Sequence, residues 1–365
     1  MVGNVRYQRR ITGSAVALSV VALVTACGST PAAQGSSESS TPAPTTVTLL
    51  THDSFVVSES LLADFTKETG LTLEIITAGD AGAMVAGAVL AAGSPTADVL
   101  FGVDNTLVSR ALSTGVFEPY SPSDLGALEP ALATDTADGL VTPVDYGDVC
   151  VNVDDSFFEE NDVPPPTTLD DLIAPAYRDL LVVEDPGTSS PGLAFLLATI
   201  ARYGDDWKDY WTSLRENGVK VAGSWTDAYT GDFTAGGGSG DRPLVVSYAT
   251  SPPAEIVYAA DPKPTEPSTS VMTDGCYRQV EYAGVLAGAA NPAGARAVVD
   301  WLISTPVQRD VPLSMFVFPA RAGIALPDVF TQFAATVTRP LQLDSPTVAD
   351  NLPAWLADWG TVMGR

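Results

Sequence analysis

Histidine is almost absent from this chain, which has one histidine, His52, among 365 residues. A single histidine excludes a His-Glu-x-x-His zinc site, and a Ser-His-Asp triad would have to use His52. The sequence also lacks a Gly-x-Ser-x-Gly nucleophile elbow and an adjacent tyrosine pair that would chelate ferric iron. Paired carboxylates for glycoside hydrolysis remain open, because 44 acidic residues offer many pairs.

Basic residues are also scarce, since 18 Lys and Arg face 44 Asp and Glu and give a formal net charge of −26. A surface of this charge repels nucleic acid and anionic lipid, so we expect no nucleic-acid partner. A species that makes acidic proteins in general would give the same charge. The charge therefore favours cationic ligands only mildly.

Cysteine occurs three times, and the first of the three, Cys27, follows a segment typical of exported proteins. The first ten residues carry three arginines and no acid, and a mainly apolar run over 11–26 follows. This run is too short to span a bilayer comfortably. The small residues before Cys27 resemble the lipobox of bacterial lipoproteins. We therefore predict a signal peptide over 1–26, a lipid at Cys27, and an exported chain anchored to the outer face of the cell membrane.

The segment over 27–46 consists almost entirely of Ser, Thr, Pro, Ala and Gly, which is typical of a flexible linker. The folded body then runs from 47 to 365, a length that is natural for two lobes. The other two cysteines, Cys150 and Cys276, lie in this body. In an exported protein such a pair predicts one disulfide, with two buried free thiols as the alternative.

Strand and helix patterns alternate along the body, which predicts an α/β fold with helices on the faces of a parallel sheet. Strands are expected at 47–52, 71–76, 98–102, 180–184, 219–222 and 243–248. Helices are expected at 58–69, 82–92, 106–114, 192–202, 205–216, 292–304 and 347–362.

Two long extended segments interrupt this alternation, at 140–153 and 273–281, and we interpret them as strands that cross between two lobes. The predicted organisation follows from these crossings. Lobe 1 comprises 47–146 with about 277–320, lobe 2 comprises 147–276, and a helical segment over 321–365 is not assigned to a lobe.

Four polar turns follow predicted strands, at 52–55, 102–105, 185–192 and 248–252. Ligands of open α/β sheets bind beyond the carboxyl ends of strands, where such turns gather. Ser190 and Ser251 each precede a proline, a pattern that indicates a helix N-cap with free backbone N–H groups.

Aromatic residues accompany these turns, and a tryptophan at 225 within a polar, glycine-led segment is not typical of core packing. Aromatic rings near carboxylates would hold a flat, cationic heteroaromatic ligand, with each contact contributing about 0.5–2 kcal/mol.

On these residues the sequence resembles the thiamine-binding component of bacterial ABC importers, from 48 to about 330. The motifs that carry the resemblance are Asp53-Ser54-Phe55, Ala97-Asp98-Val99, Asp145-Tyr146-Gly147, Asp185-Pro186, Thr188-Ser189, the segment 223–229, Ser247-Tyr248, Thr250-Ser251-Pro252 and Gln279-Val280-Glu281. The resemblance implies a type II periplasmic-binding-protein-like fold, in which two α/β lobes joined by crossing strands close on a ligand. It also implies a membrane permease of an ABC importer as partner, no cofactor and no metal, and a monomeric receptor that is not an enzyme.

The ligand-binding residues follow from the same resemblance. Trp225 and Tyr248 would stack on the thiamine rings, and the carboxylate of Asp80 would bond the aminopyrimidine. The full predicted set is His52, Asp53, Asp80, Ala81, Asp145, Tyr146, Ser189, Ser190, Trp225, Tyr248, Ala249, Thr250, Ser251 and Phe316. The pair at 189–190 would lie near the hydroxyethyl or phosphate end of the ligand.

Three positions depart from the family pattern. His52 and Ala254 stand where tyrosines are expected, and Ala81 replaces a glycine, with Gly82 one place later. The loss of an aromatic wall would loosen the site or change the preferred phosphorylation state, which stays open. Other readings are a receptor for another cation such as a polyamine or ferric iron, a secreted hydrolase that uses paired carboxylates, and a lipid-anchored structural or adhesion protein.

Overall fold

The computed structural model describes residues 45–133 and 136–365. The predicted signal peptide, Cys27 and the linker as far as residue 44 lie outside the described residues. The strands are β1 Thr46–Thr51, β2 Thr72–Thr77, β3 Val99–Asp104, β4 Thr142–Asp154, β5 Leu181–Glu184, β6 Lys220–Ala222, β7 Leu244–Tyr248, β8 Thr269–Val285 and β9 Phe318–Pro319. The α-helices are α1 Glu59–Thr69, α2 Ala81–Leu90, α3 Val108–Ser113, α4 Pro130–Ala133, α5 Asp155–Glu160, α6 Ser190–Tyr203, α7 Trp207–Glu216, α8 Pro253–Tyr258, α9 Pro292–Leu302, α10 Thr305–Ser314, α11 Asp328–Phe333 and α12 Ser345–Met363.

The strands form one mixed sheet in the order β2-β1-β3-β8-β4-β7-β5-β6, with β9 paired to β4. Strand β1 is parallel to its neighbours β2 and β3, and β5 is parallel to β6 and β7. The long central strands β4 and β8 are antiparallel to each other and lie between these two groups of parallel strands. We call the strands β1–β3 with their helices the first half, and β5–β7 with theirs the second half.

In the first half, β1 and β3 are buried on both faces by helices, whereas the edge strand β2 is largely exposed. Leu49 and Leu50 are successive residues of β1 and point to opposite faces, yet both are buried. On one face Phe65 of α1 packs against Trp301 of α9, with ring centroids 5.5 Å apart. On the other face, α2 contributes buried Met84.

Strands β4 and β8 are the two segments predicted to cross. Strand β4 nearly matches its predicted range, and β8 is longer than predicted at both ends. Their pairing joins Tyr146 to Val280 and Val149 to Tyr277. The lobe boundaries near 146 and 276 therefore fall inside paired strands, and as boundaries they stay a prediction.

The sulfurs of Cys150 and Cys276 are joined in a disulfide between β4 and β8. Both side chains are buried. The bond closes a loop over a sequence separation of 126 residues. Chain entropy assigns a cross-link of this span about 4–5 kcal/mol of stabilisation.

Helix α10 was not predicted, because proline in a helix interior usually ends the helix. It nevertheless continues through Pro312. Tertiary contacts hold it in place, since Val307 and Val311 are buried and the amide of Gln308 donates to the carbonyls of Val144 and Leu302.

The C-terminal segment ends in α12, which contacts α7 of the second half and α3 of the first. The rings of Trp211 and Trp359 meet edge to face, with centroids 5.6 Å apart. The segment left unassigned therefore packs against both halves. None of the helices in the described part of the chain is both long and apolar enough to cross a membrane.

Candidate functional site

A cavity of about 310 Å³ lies where the two halves meet strands β4 and β8. This volume is at the lower end of the range for small-molecule sites. The lining residues are His52, Ser54, Val56, Asp80, Ser190, Pro191, Trp225, Thr226, Tyr229, Thr230, Gly236, Tyr248, Ser251, Ala254, Tyr258, Glu281, Ser314, Met315, Phe316 and Val317.

Half of the predicted binding residues line this cavity. They are His52, Asp80, Ser190, Trp225, Tyr248, Ser251 and Phe316. The indole of Trp225 and the ring of Tyr248, far apart in sequence, thus face the same space. The other predicted residues do not line the cavity, namely Asp53, Ala81, Asp145, Tyr146, Ser189, Ala249 and Thr250.

The second half supplies an aromatic wall, formed by Trp225, Tyr229 and Tyr248. The rings of Trp225 and Tyr229 are stacked, with centroids 5.0 Å apart and planes inclined by 15°. The indole Nε1 of Trp225 donates to the hydroxyl of Ser247 at 2.9 Å, which fixes the ring orientation. This wall offers a rigid, flat surface for a heteroaromatic ligand.

Tyr229 was missed by the sequence prediction. It lies in a π-helical turn, Asp227–Asp232, that follows β6. Its spacing of four residues from Trp225 is the signal that would have found it, because residues at this spacing in helical structure lie side by side.

The first half and the central strands supply the carboxyl wall, defined by Asp80, Glu281 and the neighbouring His52. Asp80 is the N-cap of α2, and its Oδ1 accepts from the backbone N–H of Ala81 at 2.6 Å. Its Oδ2 accepts from the backbone N–H of Trp225 at 2.8 Å. One carboxylate therefore connects the two halves at the cavity. Burial raises the pKa of Asp80, while these donors oppose the rise.

His52 follows β1 and makes two polar contacts across the carboxyl wall. Its Nδ1 lies 2.8 Å from the hydroxyl of Ser54, and its Nε2 lies 3.6 Å from Oε1 of Glu281. Gly102 leaves room for the ring, because a Cβ there would lie 2.3 Å from Cδ2 of His52. Gly102 also has a φ of +96°, which other residues rarely adopt.

Glu281 lies in a row of three carboxyl groups that sequence reasoning did not assemble. Asp104 of β3 and Asp145 of β4 are the register partners of Glu281 on its two sides. All three side chains are buried. Burial raises the pKa of Asp104 to about 6 and that of Asp145 to about 7. Burial, and then the charge of Asp145, raise the pKa of Glu281 well above its usual range.

The cavity mouth is closed on one side by Tyr258 of α8 and Phe316. Their rings meet edge to face, with centroids 5.5 Å apart. Tyr258 is 66% exposed, so the contact lies at the rim. Ala254, where a tyrosine was expected, lines the cavity one helical turn before Tyr258. The aromatic ring missing at 254 is thus replaced from the same face of α8.

Several predicted residues support the lining residues without reaching the cavity. Thr250 donates its hydroxyl to the carbonyl of Phe316, a residue with a φ of 53°. Ala249 packs against the disulfide. Tyr146 stacks on Phe318 at a centroid distance of 5.2 Å.

Asp53 and Ala81 both lie on the first half, close to its contact with the second half. Asp53 lies at the rim, where it accepts from the hydroxyl of Thr226 at 3.5 Å. Ala81 donates its backbone N–H to the Asp80 carboxylate.

The two predicted serine caps are shifted by one residue. Ser189 is the N-cap of α6 and Ser190 is its first residue, whereas Pro252 is the N-cap of α8. Both shifts place Ser190 and Ser251 in the cavity wall. The hydroxyl of Ser251 accepts from the backbone N–H of Tyr248 at 3.2 Å, so it fixes the end of β7 instead of capping a helix.

The cavity between two halves of a sheet joined by two long strands is typical of proteins that bind a small solute. Residues 94–336 match the family model of bacterial extracellular solute-binding proteins, and the chain belongs to this family. Among the described residues, no group of three or more His, Cys, Asp or Glu side chains is arranged to hold a metal ion.

The names of individual relatives specify a ligand, which the family model does not. The chain is 28% identical over 327 residues to the thiamine-binding periplasmic protein of Escherichia coli (strain K12), covering 87% of this chain and 94% of that protein. It is also 28% identical to the thiamine-binding periplasmic protein of Brucella suis biovar 1 (strain 1330), covering 88% and 92%. The solved structure of a periplasmic thiamin binding protein superposes with a TM-score of 0.76 at 25% identity, covering 88% and 96%. The predicted type II periplasmic-binding-protein-like fold is confirmed.

Proposed function

We propose that this chain is an extracytoplasmic receptor that captures thiamine and delivers it to the permease of an ABC importer. The observation that carries the proposal is the cavity that pairs a stacked aromatic wall with a carboxyl wall. Relatives named as thiamine-binding proteins, which match almost along their whole length, support the same ligand.

The cavity chemistry matches the two rings of thiamine. A flat, cationic heteroaromatic ring gains both dispersion and cation–π attraction against Trp225 and Tyr229. The carboxylate of Asp80 accepts from an exocyclic amino group, and the hydroxyls of Ser190 and Ser251 lie in the same wall for the polar end of the ligand. Each of these groups has a role in binding the ligand, and none of them has a role in breaking a bond.

Capture proceeds by closure of the two halves around the ligand. Asp80 already bonds the backbone of Trp225 across the contact between the halves, and this bond forms only when they are close. Closure removes water from the rings and carboxylates, which strengthens every polar contact inside. The closed receptor then docks on the membrane permease, whose ATPase partner drives transport.

The same proposal includes the export, the membrane anchoring and the oligomeric state of the chain. The chain is exported, is tethered at the outer face of the cell membrane through a lipid on Cys27, and acts as a monomer. The ligand leaves the receptor unchanged. Thiamine incubated with the full chain should therefore be recovered intact by chromatography, and a degraded product would favour a hydrolase.

Isothermal titration calorimetry of the full chain tests the proposed ligand. The titrants are thiamine, its mono- and diphosphate, spermidine and ferric iron, each at the same salt concentration. We expect saturable 1:1 heat with at least one thiamine form and none with spermidine or iron. The ranking of the three thiamine forms settles the preferred phosphorylation state. The absence of heat with every thiamine form would remove the proposal.

A further inference from the structure

The three carboxyl groups in the row beside the cavity differ in the hydrogen-bond donors that stabilise a negative charge on each of them. Asp104 is well supplied with donors, since its Oδ1 accepts from Thr106 and Leu107 and its Oδ2 accepts from Gln279 at 2.7 Å. A buried carboxylate with these donors is stable as an anion.

Asp145, on the other side of Glu281, lacks such support. Apart from the carboxyl of Glu281, neither of its oxygens has a hydrogen-bond partner among the described residues, although the side chain is 1% exposed. The group that faces it is the carboxyl of Glu281, its register partner on β8. Two adjacent carboxylates in a dry environment are not both ionised unless a cation lies beside them, so without a cation the pair holds at least one proton.

Glu281 alone of these three carboxyl groups lines the cavity. The charged and titratable groups that face it come from each neighbouring element. They are Asp145 on β4, Asp104 on β3, His52 after β1 and Tyr248 on β7. The nearest basic atom is Nε2 of His52, at 3.6 Å.

We propose that Glu281 is the counter-ion of the bound cation, and that the Asp145–Glu281 pair releases a proton to solvent when the ligand enters. This inference rests on the proposed function, because it requires a cationic ligand. The charge balances: the neutral Glu281 carboxyl becomes a carboxylate beside the cation, and one proton leaves.

The raised pKa of Glu281 agrees with this geometry, because burial and the neighbouring Asp145 both oppose its ionisation in the empty cavity. A positive charge in the cavity acts in the opposite direction and favours the ionised form. The liganded state therefore binds fewer protons than the empty state, and affinity rises with pH until the pair is ionised without ligand.

Calorimetry in buffers with different ionisation enthalpies measures the proton directly. The full chain is titrated with thiamine at about pH 7, in phosphate and in Tris at equal ionic strength. We expect the release of roughly half to one proton per thiamine, and an affinity that rises by up to about tenfold per pH unit below that pH. This measurement uses the unaltered chain, so it does not depend on the folding of a variant.

Three variants locate the proton. Glu281→Gln should abolish the release while the ligand still binds, more weakly. Glu184→Gln is the matched control, because Glu184 is an equally buried glutamate that does not line the cavity, and it should keep the release. His52→Gln should also keep it.

Infrared spectroscopy of the empty chain gives a second readout that needs no ligand. A protonated carboxyl band should be present near neutral pH, and it should diminish in Glu281→Gln and when thiamine is added.

The outcomes separate the two proposals. Thiamine binding without proton exchange would overturn this inference and leave the proposed function standing. Proton release that survives Glu281→Gln but is lost in His52→Gln would overturn the assignment to Glu281. No heat with thiamine in either buffer would remove the proposed function and this inference with it.

Discussion

The two walls of the cavity differ in how their residues are supported. The residues of the aromatic wall hold one another in place, because Trp225 stacks on Tyr229 and donates to Ser247. In the carboxyl wall, Asp80 accepts from two backbone N–H groups, whereas Glu281 meets the carboxyl of Asp145 and lies 3.6 Å from the single histidine. The difference teaches that the aromatic wall is a preformed surface. On our proposal, the carboxyl wall carries an electrostatic cost that a bound cation relieves.

The largest effect should come from removing the centre of the aromatic wall. Trp225→Ala deletes the stacking surface and should weaken thiamine binding by about 2 kcal/mol, roughly thirtyfold. Calorimetry measures the change. Trp355→Ala is the control, because Trp355 of α12 does not line the cavity and its loss should leave the affinity unchanged. An unchanged affinity in Trp225→Ala would make this ring a packing residue.

The next largest effect should come from the charge of the carboxyl wall. Asp80→Asn keeps the shape but loses the charge-assisted bonds, and should weaken thiamine binding by about 1.5 kcal/mol, roughly tenfold. Asp98→Asn is matched to it, since Asp98 is also buried and accepts backbone N–H bonds from Thr48 and Asn291 outside the cavity. Both variants should lose stability, but only Asp80→Asn should lose affinity. Equal affinities in the two variants would contradict a ligand contact at Asp80.

The electrostatic cost of the carboxyl wall should make the free energy of unfolding depend on pH when no ligand is bound. The pKa of Asp145 is raised to about 7 by burial, above its ordinary value, so the folded state binds the proton more tightly than the unfolded state. Its contribution to stability is therefore greatest at low pH and is lost as pH rises towards 7, by about 1 kcal/mol per unit.

Asp145→Asn should flatten this slope in urea titrations between about pH 5 and pH 8. Asp104→Asn is the contrast, because Asp104 has several donors and an amide there would leave some of them unpaired. It should lose stability over the whole range. The same slope in Asp145→Asn and in the natural protein would exclude Asp145 as its source.

The smallest effect should come from the rim. Tyr258 is 66% exposed and touches Phe316 only edge to face. Tyr258→Ala should weaken binding by about 0.5 kcal/mol, roughly twofold, whereas Tyr258→Phe should retain the affinity. A loss as large as that of Trp225→Ala would place Tyr258 inside the aromatic wall.

Local patterns were enough to predict much of the fold. The apolar strands and the helices that follow them lie within a few residues of their predicted ranges, because burial on both faces leaves a continuous apolar run. Helix α10 was missed, since its Pro312 is tolerated only through the contacts of Val307 and Val311.

The site was predicted in part, and the residues missed share a cause. Trp225 was found through its polar, glycine-led context and Tyr248 through its place at a strand end, both together with the family resemblance, and both line the cavity. Tyr229 and Tyr258 were missed because an aromatic residue has no local mark of being functional until its helical turn is known. Once the turn is known, the spacing of four residues connects Tyr229 with Trp225. The role of Glu281 depends on neighbours more than a hundred residues away in sequence.

The sequence by itself determined the α/β alternation, the two crossing strands and the kind of chemistry present, because hydrophobic periodicity and residue type are local properties. Tertiary structure alone decided which groups meet. The register of β3, β8 and β4 sets Asp104, Glu281 and Asp145 side by side, and a slip of one residue would turn them to opposite faces. Charge interaction falls with distance in space, so no reading along the chain measures it.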